Sequence, residues 1–321
     1  MAANPFVARE PELAELEQFL EQVRAGSAQV VFVAGEAGAG KSALLHEFIR
    51  HAEAGDPSVV AALGQCSAQT GVGDAYLPFR EVLTALTGTD DEQQARSAVT
   101  PTNAARLQEL ARVSAETLLD VAPDLVGIFV PGASLIAKIL SKAAQNSKLA
   151  NKLAQVEAKP PINPTLEQAQ IFQQYTQTLQ ALAKDHTLIL ILDDLHWADS
   201  ASLNLLFHLA RRLQDSRVLL VGAYRPEDVA LGRDGKRHPL EPVLNELRRY
   251  QGDIVIDLDA TREHEGRAFV DALIDSEPNR LDEAFRQELF VRTGGHPLFT
   301  IELLRNLQER GDLVRDATGR W

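Results

Sequence analysis

A chain of 321 residues with 45% hydrophobic composition has enough apolar material for one large α/β unit and a smaller companion, each with its own core. Its formal charge of −13 gives no overall basic surface for a phosphate backbone, so this segment is not expected to bind nucleic acid directly. The lone cysteine, Cys66, excludes an internal disulfide framework and favours a reducing compartment, the cytoplasm.

The first residues lack a basic-then-apolar targeting pattern. The most apolar stretch, 125–137, is broken by Pro131 and Gly132, so no membrane association is expected.

Gln29 to Val33 is a β-branched apolar run of the kind found in a buried parallel strand, and it stops where a glycine-rich segment begins. After Lys41 and Ser42, the residues Leu44, Leu45, Phe48 and Ile49 recur at helical spacing. A second strand is predicted at Val59 to Leu63, and a helix at Leu77 to Leu86. Residues 89–165 are rich in Ala, Gln and Leu and end in a proline-rich breaker up to Pro164, which reads as a helical insertion.

Leu188 to Leu192 is uninterrupted and apolar, as in a central strand. A helix carrying Leu203, Leu206, Phe207 and Ala210 follows, then strands at Val218 to Ala223 and Ile254 to Leu258. Strands alternating with helices imply an α/β fold with a doubly wound parallel five-stranded sheet. Residues 1–259 form the expected α/β unit, which contains the helical insertion. Residues 260–321 read as a small helical lid domain, with helices at Thr261 to Ile274, Leu281 to Arg292 and Pro297 to Arg310, the last stopped by Gly311. The final ten residues resemble a hairpin start with a turn near Gly319, so the chain is expected to continue into a longer protein.

Gly35 to Ser42 reads G-E-A-G-A-G-K-S and fills every fixed position of the P-loop NTPase pattern between a predicted strand and helix. Glycines are needed because backbone N–H groups from Gly38 through Ala39, Gly40, Lys41 and Ser42 to Ala43 must turn inward around phosphate oxygens. Lys41 supplies a point charge to the β- and γ-phosphates of ATP, and Ser42 offers a hydroxyl to Mg²⁺.

At the end of the central strand stand Asp193 and Asp194. A carboxylate capping five apolar residues calls for a cation or donors, which places Asp193 beside the metal. Asp194 then orients or deprotonates the attacking water, or alternatively caps a turn.

The string from Leu192 to Asp199, L-D-D-L-H-W-A-D, resembles the extended Walker B signature of STAND-class ATPases. These are AAA-related modules of large signalling proteins, including LuxR-type transcription activators and cyclase- or kinase-linked sensors. Phe6 to Leu13 is similar to the segment of that class that lies by the adenine, with Ala8 where the class has glycine and with Arg9 retained. Val221 to Pro226 resembles its fourth strand, whose terminal arginine, here Arg225, senses the γ-phosphate. Thr293 to Leu298 resembles its G-x-P motif, in which Pro297 packs near the adenine.

The resemblance implies a sheet in the order 5-1-4-3-2, a following lid, a slow Mg²⁺-dependent hydrolysis of ATP to ADP, and continuation into a winged-helix element. Adenine nucleotide, further domains of the same protein and a nucleotide-dependent homo-oligomer are the implied partners. Arg9 and Arg225 also read as ordinary surface cations, and Pro297 as the first residue of a helix. His196 and Trp197 read as packing groups ahead of ligand or stacking groups, Asp199 or Ser200 as an N-cap ahead of a ligand, and Arg211 and Arg212 as a solvated helix end ahead of an inter-subunit finger. A phosphotransferase, a non-hydrolysing nucleotide scaffold and a DNA-associated loader are the competing functions.

Overall fold

The computed structural model describes residues 7–67, 75–88, 90–122, 125, 164–232, 237–316 and 319–321. Phe6, most of the insertion and part of the terminal turn lie outside them.

Helix α1 (Glu10–Arg24) leads to β1 (Gln29–Ala34), the glycine-rich loop, α2 (Lys41–Gly55) and β2 (Val59–Gln65). Helices α3 (Leu77–Thr87), α4 (Asp91–Ser97) and α5 (Pro101–Val121) follow, and α6 (Pro164–Leu182) returns the chain to β3 (Thr187–Asp193). The sequence expectation had no helix at α6. Pro164 is its first residue, so the proline-rich breaker opens a helix there. Next come a short 3₁₀ turn (Leu195–Trp197), α7 (Ser200–Arg212), β4 (Val218–Tyr224), α8 (Pro226–Leu231), α9 (Leu240–Gln251) and β5 (Val255–Asp257).

All four strand pairings are parallel and the order is β2-β3-β4-β1-β5, the mirror listing of 5-1-4-3-2. Alternate strand residues face two separate cores. Val31, Val33, Ile189, Ile191, Leu219 and Val221 pack under α1 and α2 through Leu16, Leu20, Leu44 and Phe48. Phe32, Leu188, Leu190, Leu192, Val218 and Leu220 pack under α3, α5, α6, α7 and α9. Burial on both faces explains why the strands read as unbroken apolar runs.

Beyond the sheet lie α10 (Leu258–Asp275), α11 (Glu283–Thr293) and α12 (Pro297–Arg310). Helix α10 starts three residues before the expected Thr261, because Asp257 accepts hydrogen bonds from the N–H groups of Asp259 and Ala260. For the same reason β5 ends at Asp257. Asp282 caps α11 in the same way and moves its start to Glu283. Val270, Ile274 and Leu289 form a small third core, with Leu303 and Leu304 against it. At the terminus Gly319 turns the chain, and the backbone of Trp321 bonds to Pro278 and Arg280.

Helix α3 crosses β2 at backbone contact. A Cβ placed on Gly64 would lie 2.0 Å from the Pro78 carbonyl oxygen, an atom no side-chain rotation can move. Gly64→Ala is therefore expected to destabilise the fold by about 3 kcal/mol or more. Thermal unfolding measures it, and an unchanged midpoint would show that α3 is free to lift.

Candidate nucleotide site

The carboxyl ends of β1, β4 and β3 are neighbours, so whatever follows those strands converges on one edge of the sheet. Gly35 to Ser42 follows β1, Arg225 follows β4, and Asp193 closes β3.

The loop turns through left-handed conformations at Gly38 (φ 79°) and Gly40 (φ 98°), which a side chain would strain. A Cβ on Gly40 would meet nothing within 4 Å. Gly40 is also the N-cap of α2, so the helix N-terminus with its unsatisfied N–H groups opens directly from the loop. Such a cradle fits phosphate oxygens, with Gly38, Ala39, Gly40, Lys41, Ser42 and Ala43 in or next to it.

Lys41 is buried, and its ammonium donates to the carbonyl oxygens of Gly35 (2.7 Å) and Glu36 (2.9 Å). Burial lowers its pKa below the ordinary lysine value; Asp193 is the largest influence opposing this, and Arg225 works with burial. Asp193 shows the converse. Burial and the Asp194 carboxylate raise its pKa, while the Asp194 N–H (2.8 Å to Oδ1), Lys41 and Arg225 pull it down. The cations and carboxylates predicted from sequence therefore feel one another in the fold.

Asp194 adopts a left-handed conformation (φ 55°), which an aspartate tolerates better than most residues and which bends the chain out of β3 into the 3₁₀ turn. Its Oδ2 accepts from Gln65 Nε2 at 3.4 Å, and its Oδ1 lies 3.7 Å from His196 Nε2. Arg225 Nη1 stands 3.9 Å from Asp228 Oδ2. Asp199 is the N-cap of α7, accepting from the Ala201 and Ser202 N–H groups. The Arg211 guanidinium stacks between Phe207 and Tyr250 at 5.5 Å from each ring centroid.

Two further segments grip the loop. The Arg9 guanidinium pairs with Glu12 and donates to Ala39 O (3.4 Å) and Leu258 O (3.3 Å), tying α1, the loop and α10 together. Asp259, in the first turn of α10, accepts the Glu36 N–H at 2.8 Å. At the loop's tip, a Cβ on Gly38 would lie 2.5 Å from Leu298 Cβ and 3.0 Å from His296 Cε1. Pro297 is the buried first residue of α12 between those two, behind the His296 N-cap. Gln65, Asp228 and Asp259 were not singled out from sequence, because each is an ordinary polar residue at an element end until the fold assembles.

The chain matches the family profile of the AAA ATPase domain over residues 5–221. It belongs to that family. The AAA ATPase domain is a P-loop nucleotide-hydrolysing unit, and the family implies a nucleotide with, usually, Mg²⁺. An uncharacterized protein of Rhizobium meliloti (strain 1021) is 29% identical over 229 residues, covering 70% of this chain and 19% of the relative. The chain thus spans about a fifth of that relative's length. The crystal structure of Pif1 helicase from Candida albicans aligns over 87% of this chain and 50% of that one, at 15% identity and a TM-score of 0.28, too low to inform the site.

Among the described residues, no cluster of three or more His, Cys, Asp or Glu side chains is placed to enclose a metal ion by itself. Mg²⁺ that accompanies a nucleotide needs no such cluster, since it takes few protein oxygens and completes its shell with phosphate and water. No described helix is long and apolar enough to cross a membrane.

The site makes two predictions about stability. Ala8, beside Arg9, has φ 53°, where a Cβ crowds the following carbonyl, so Ala8→Gly should stabilise the protein by about 0.5–1 kcal/mol in denaturant unfolding. A loss of stability would mean that Ala8's methyl group contributes packing instead. His196 is buried and its pKa is pushed down to about 4, chiefly by burial and further by Arg225 and Lys41, against Asp194 and Asp228. The unfolded chain takes up that proton near 6.5, so the native state loses stability as pH falls through this window. The melting-temperature advantage of wild type over His196→Gln should therefore narrow from about pH 7 to 5. A gap independent of pH would contradict a neutral, desolvated imidazole.

Proposed function

We propose that this chain is an ATP-hydrolysing switch module of a larger signalling protein, of the STAND type. The observation that carries the reading is the convergence of the glycine loop with Lys41, the paired Asp193 and Asp194, and Arg225 on adjacent strand ends. Backbone N–H groups of the loop and the Lys41 ammonium bind the triphosphate of ATP. Ser42 and Asp193 hold Mg²⁺, which supplies neutralising charge to the phosphate oxygens. Asp194 orients the water for in-line attack and accepts its proton, and Arg225 stabilises the charge on the transferred phosphoryl group.

Arg9 and Pro297 border the nucleotide from the N-terminal segment and from α12. The contacts of Asp259, His296 and Leu298 with the loop support a relay between nucleotide state and the three C-terminal helices, which we read as a lid. The much greater length of the matched relative supports a regulatory module within a longer chain, where further domains and self-association would carry the output.

Nucleotide affinity by calorimetry and phosphate release by colorimetry test this together. Lys41→Ala should lose ATP and ADP binding, whereas Asp194→Asn should bind ATP and cut turnover by about a hundredfold or more. Hydrolysis by Asp194→Asn at the wild-type rate would remove Asp194 from the chemistry. Tight ADP binding by wild type without turnover would leave a scaffold, and phosphate release only with an added acceptor would indicate a phosphotransferase.

A further inference from the structure

We propose that His196 is a positioning residue for hydrolysis, holding the Asp194 carboxylate and linking it through Asp228 to Arg225. This rests on the hydrolytic reading above and assigns it a residue for which the sequence favoured packing over a ligand role.

Three hydrogen bonds hold the backbone around His196. The Trp197 N–H donates to Asp194 O at 2.7 Å, and the Ala198 N–H to Leu195 O at 3.0 Å, which closes the 3₁₀ turn. The His196 carbonyl accepts from Nε2 of His238, itself fully buried. The Leu240 N–H donates to His238 Nδ1 at 3.1 Å, so the His238 proton resides on Nε2 and points at His196. This second histidine anchors the turn to the start of α9. The imidazole of His196 is consequently aimed by the fold, with its side chain wholly screened from solvent.

Its Nε2 faces two carboxylates, Asp194 Oδ1 at 3.7 Å and Asp228 Oδ2 at 3.5 Å. Both are acceptors when ionised, so the imidazole proton belongs on Nε2. Neither contact is a closed hydrogen bond as the side chains stand, and one N–H cannot close both. A small side-chain shift shortens one contact at the other's expense, so the two carboxylates compete for a single donor. Asp228 is also shared with Arg225 at 3.9 Å, and Gln65 holds the other oxygen of Asp194. Whatever draws the Arg225 guanidinium changes the demand of Asp228 for the His196 proton, and with it the hold on Asp194. A phosphoryl group at the edge of the sheet is such a ligand, since it offers Arg225 a competing anion.

The test measures kcat for phosphate release and Kd for Mg-ATP in wild type, His196→Leu, His196→Gln, Asp228→Ala and the His196→Leu/Asp228→Ala double variant. His196→Leu should lower kcat about tenfold or more with Kd changed less than about twofold, and His196→Gln, which keeps a donor, should recover most of the rate. Asp228→Ala should change kcat by about threefold or more alone and leave it unchanged in the His196→Leu background. Wild-type kcat in His196→Leu, a parallel loss of kcat and affinity, or additive effects of the two substitutions would overturn the inference while leaving the hydrolytic reading intact. A wild type that binds ATP and releases no phosphate overturns that reading and this one with it. Should His196→Leu not fold, ¹⁵N spectra of histidine-labelled protein decide instead: Asp194→Asn and Asp228→Ala must each move the His196 Nε2 resonance, and a resonance moved by neither overturns the link.

Discussion

A buried ammonium at the carboxyl edge of a parallel sheet is the constraint on which the other features depend. Lys41 is 8% exposed, and an isolated charge so placed would be neutralised or expelled unless the protein replaced its hydration. The carbonyls of Gly35 and Glu36 do so directly, and Asp193 adds opposite charge from two strands away. With β4 between β1 and β3, the loop, Arg225 and Asp193 come to one edge of the sheet. The site is therefore a consequence of strand order, and the strand order is maintained by two cores that sandwich it.

The same edge contains more charge than one lysine requires. Asp193, Asp194, Asp228 and Asp259 stand against Lys41 and Arg225, with the neutral imidazole of His196 among them. Asp193 accepts from the Asp194 N–H, Asp194 from Gln65 Nε2 and Asp259 from the Glu36 N–H, while Asp228 faces His196 and Arg225 at longer range. An array in which several acceptors share few donors has alternative arrangements of similar energy, and a bound anion can select among them. The contacts of the loop with α10 and α12 extend this sharing beyond the sheet. Gly38 lies so close to Leu298 that no Cβ would fit between the loop's tip and the start of α12.

The secondary structure was legible wherever one local rule sufficed. Strands β1, β3 and β4 are buried on both faces and announce themselves as apolar runs. Helix α12 carries its own boundaries, Pro297 at its first position and Gly311 in a left-handed cap. Helix α6 was not legible, since a proline-rich stretch reads equally as a stop or a start until the following residues are seen to pack, as Ile171, Tyr175 and Leu179 do. The starts of α10 and α11 shifted because an aspartate cap outranks the first apolar residue in setting where helical hydrogen bonding begins.

By itself the sequence determined the strand–loop–helix unit, the acidic strand end and the positions of glycines that only a backbone-lined cradle requires, since each is a local pattern a few residues long. The tertiary structure decided which distant groups meet: the Glu36 N–H on Asp259, Gln65 on Asp194, His238 on the His196 carbonyl, and Leu298 packed against Gly38. Those partners are separated by up to hundreds of residues in the chain. Hydrogen bonds and packing act over a few ångströms, so their pairing is settled only when the parallel sheet places the ends of its strands side by side.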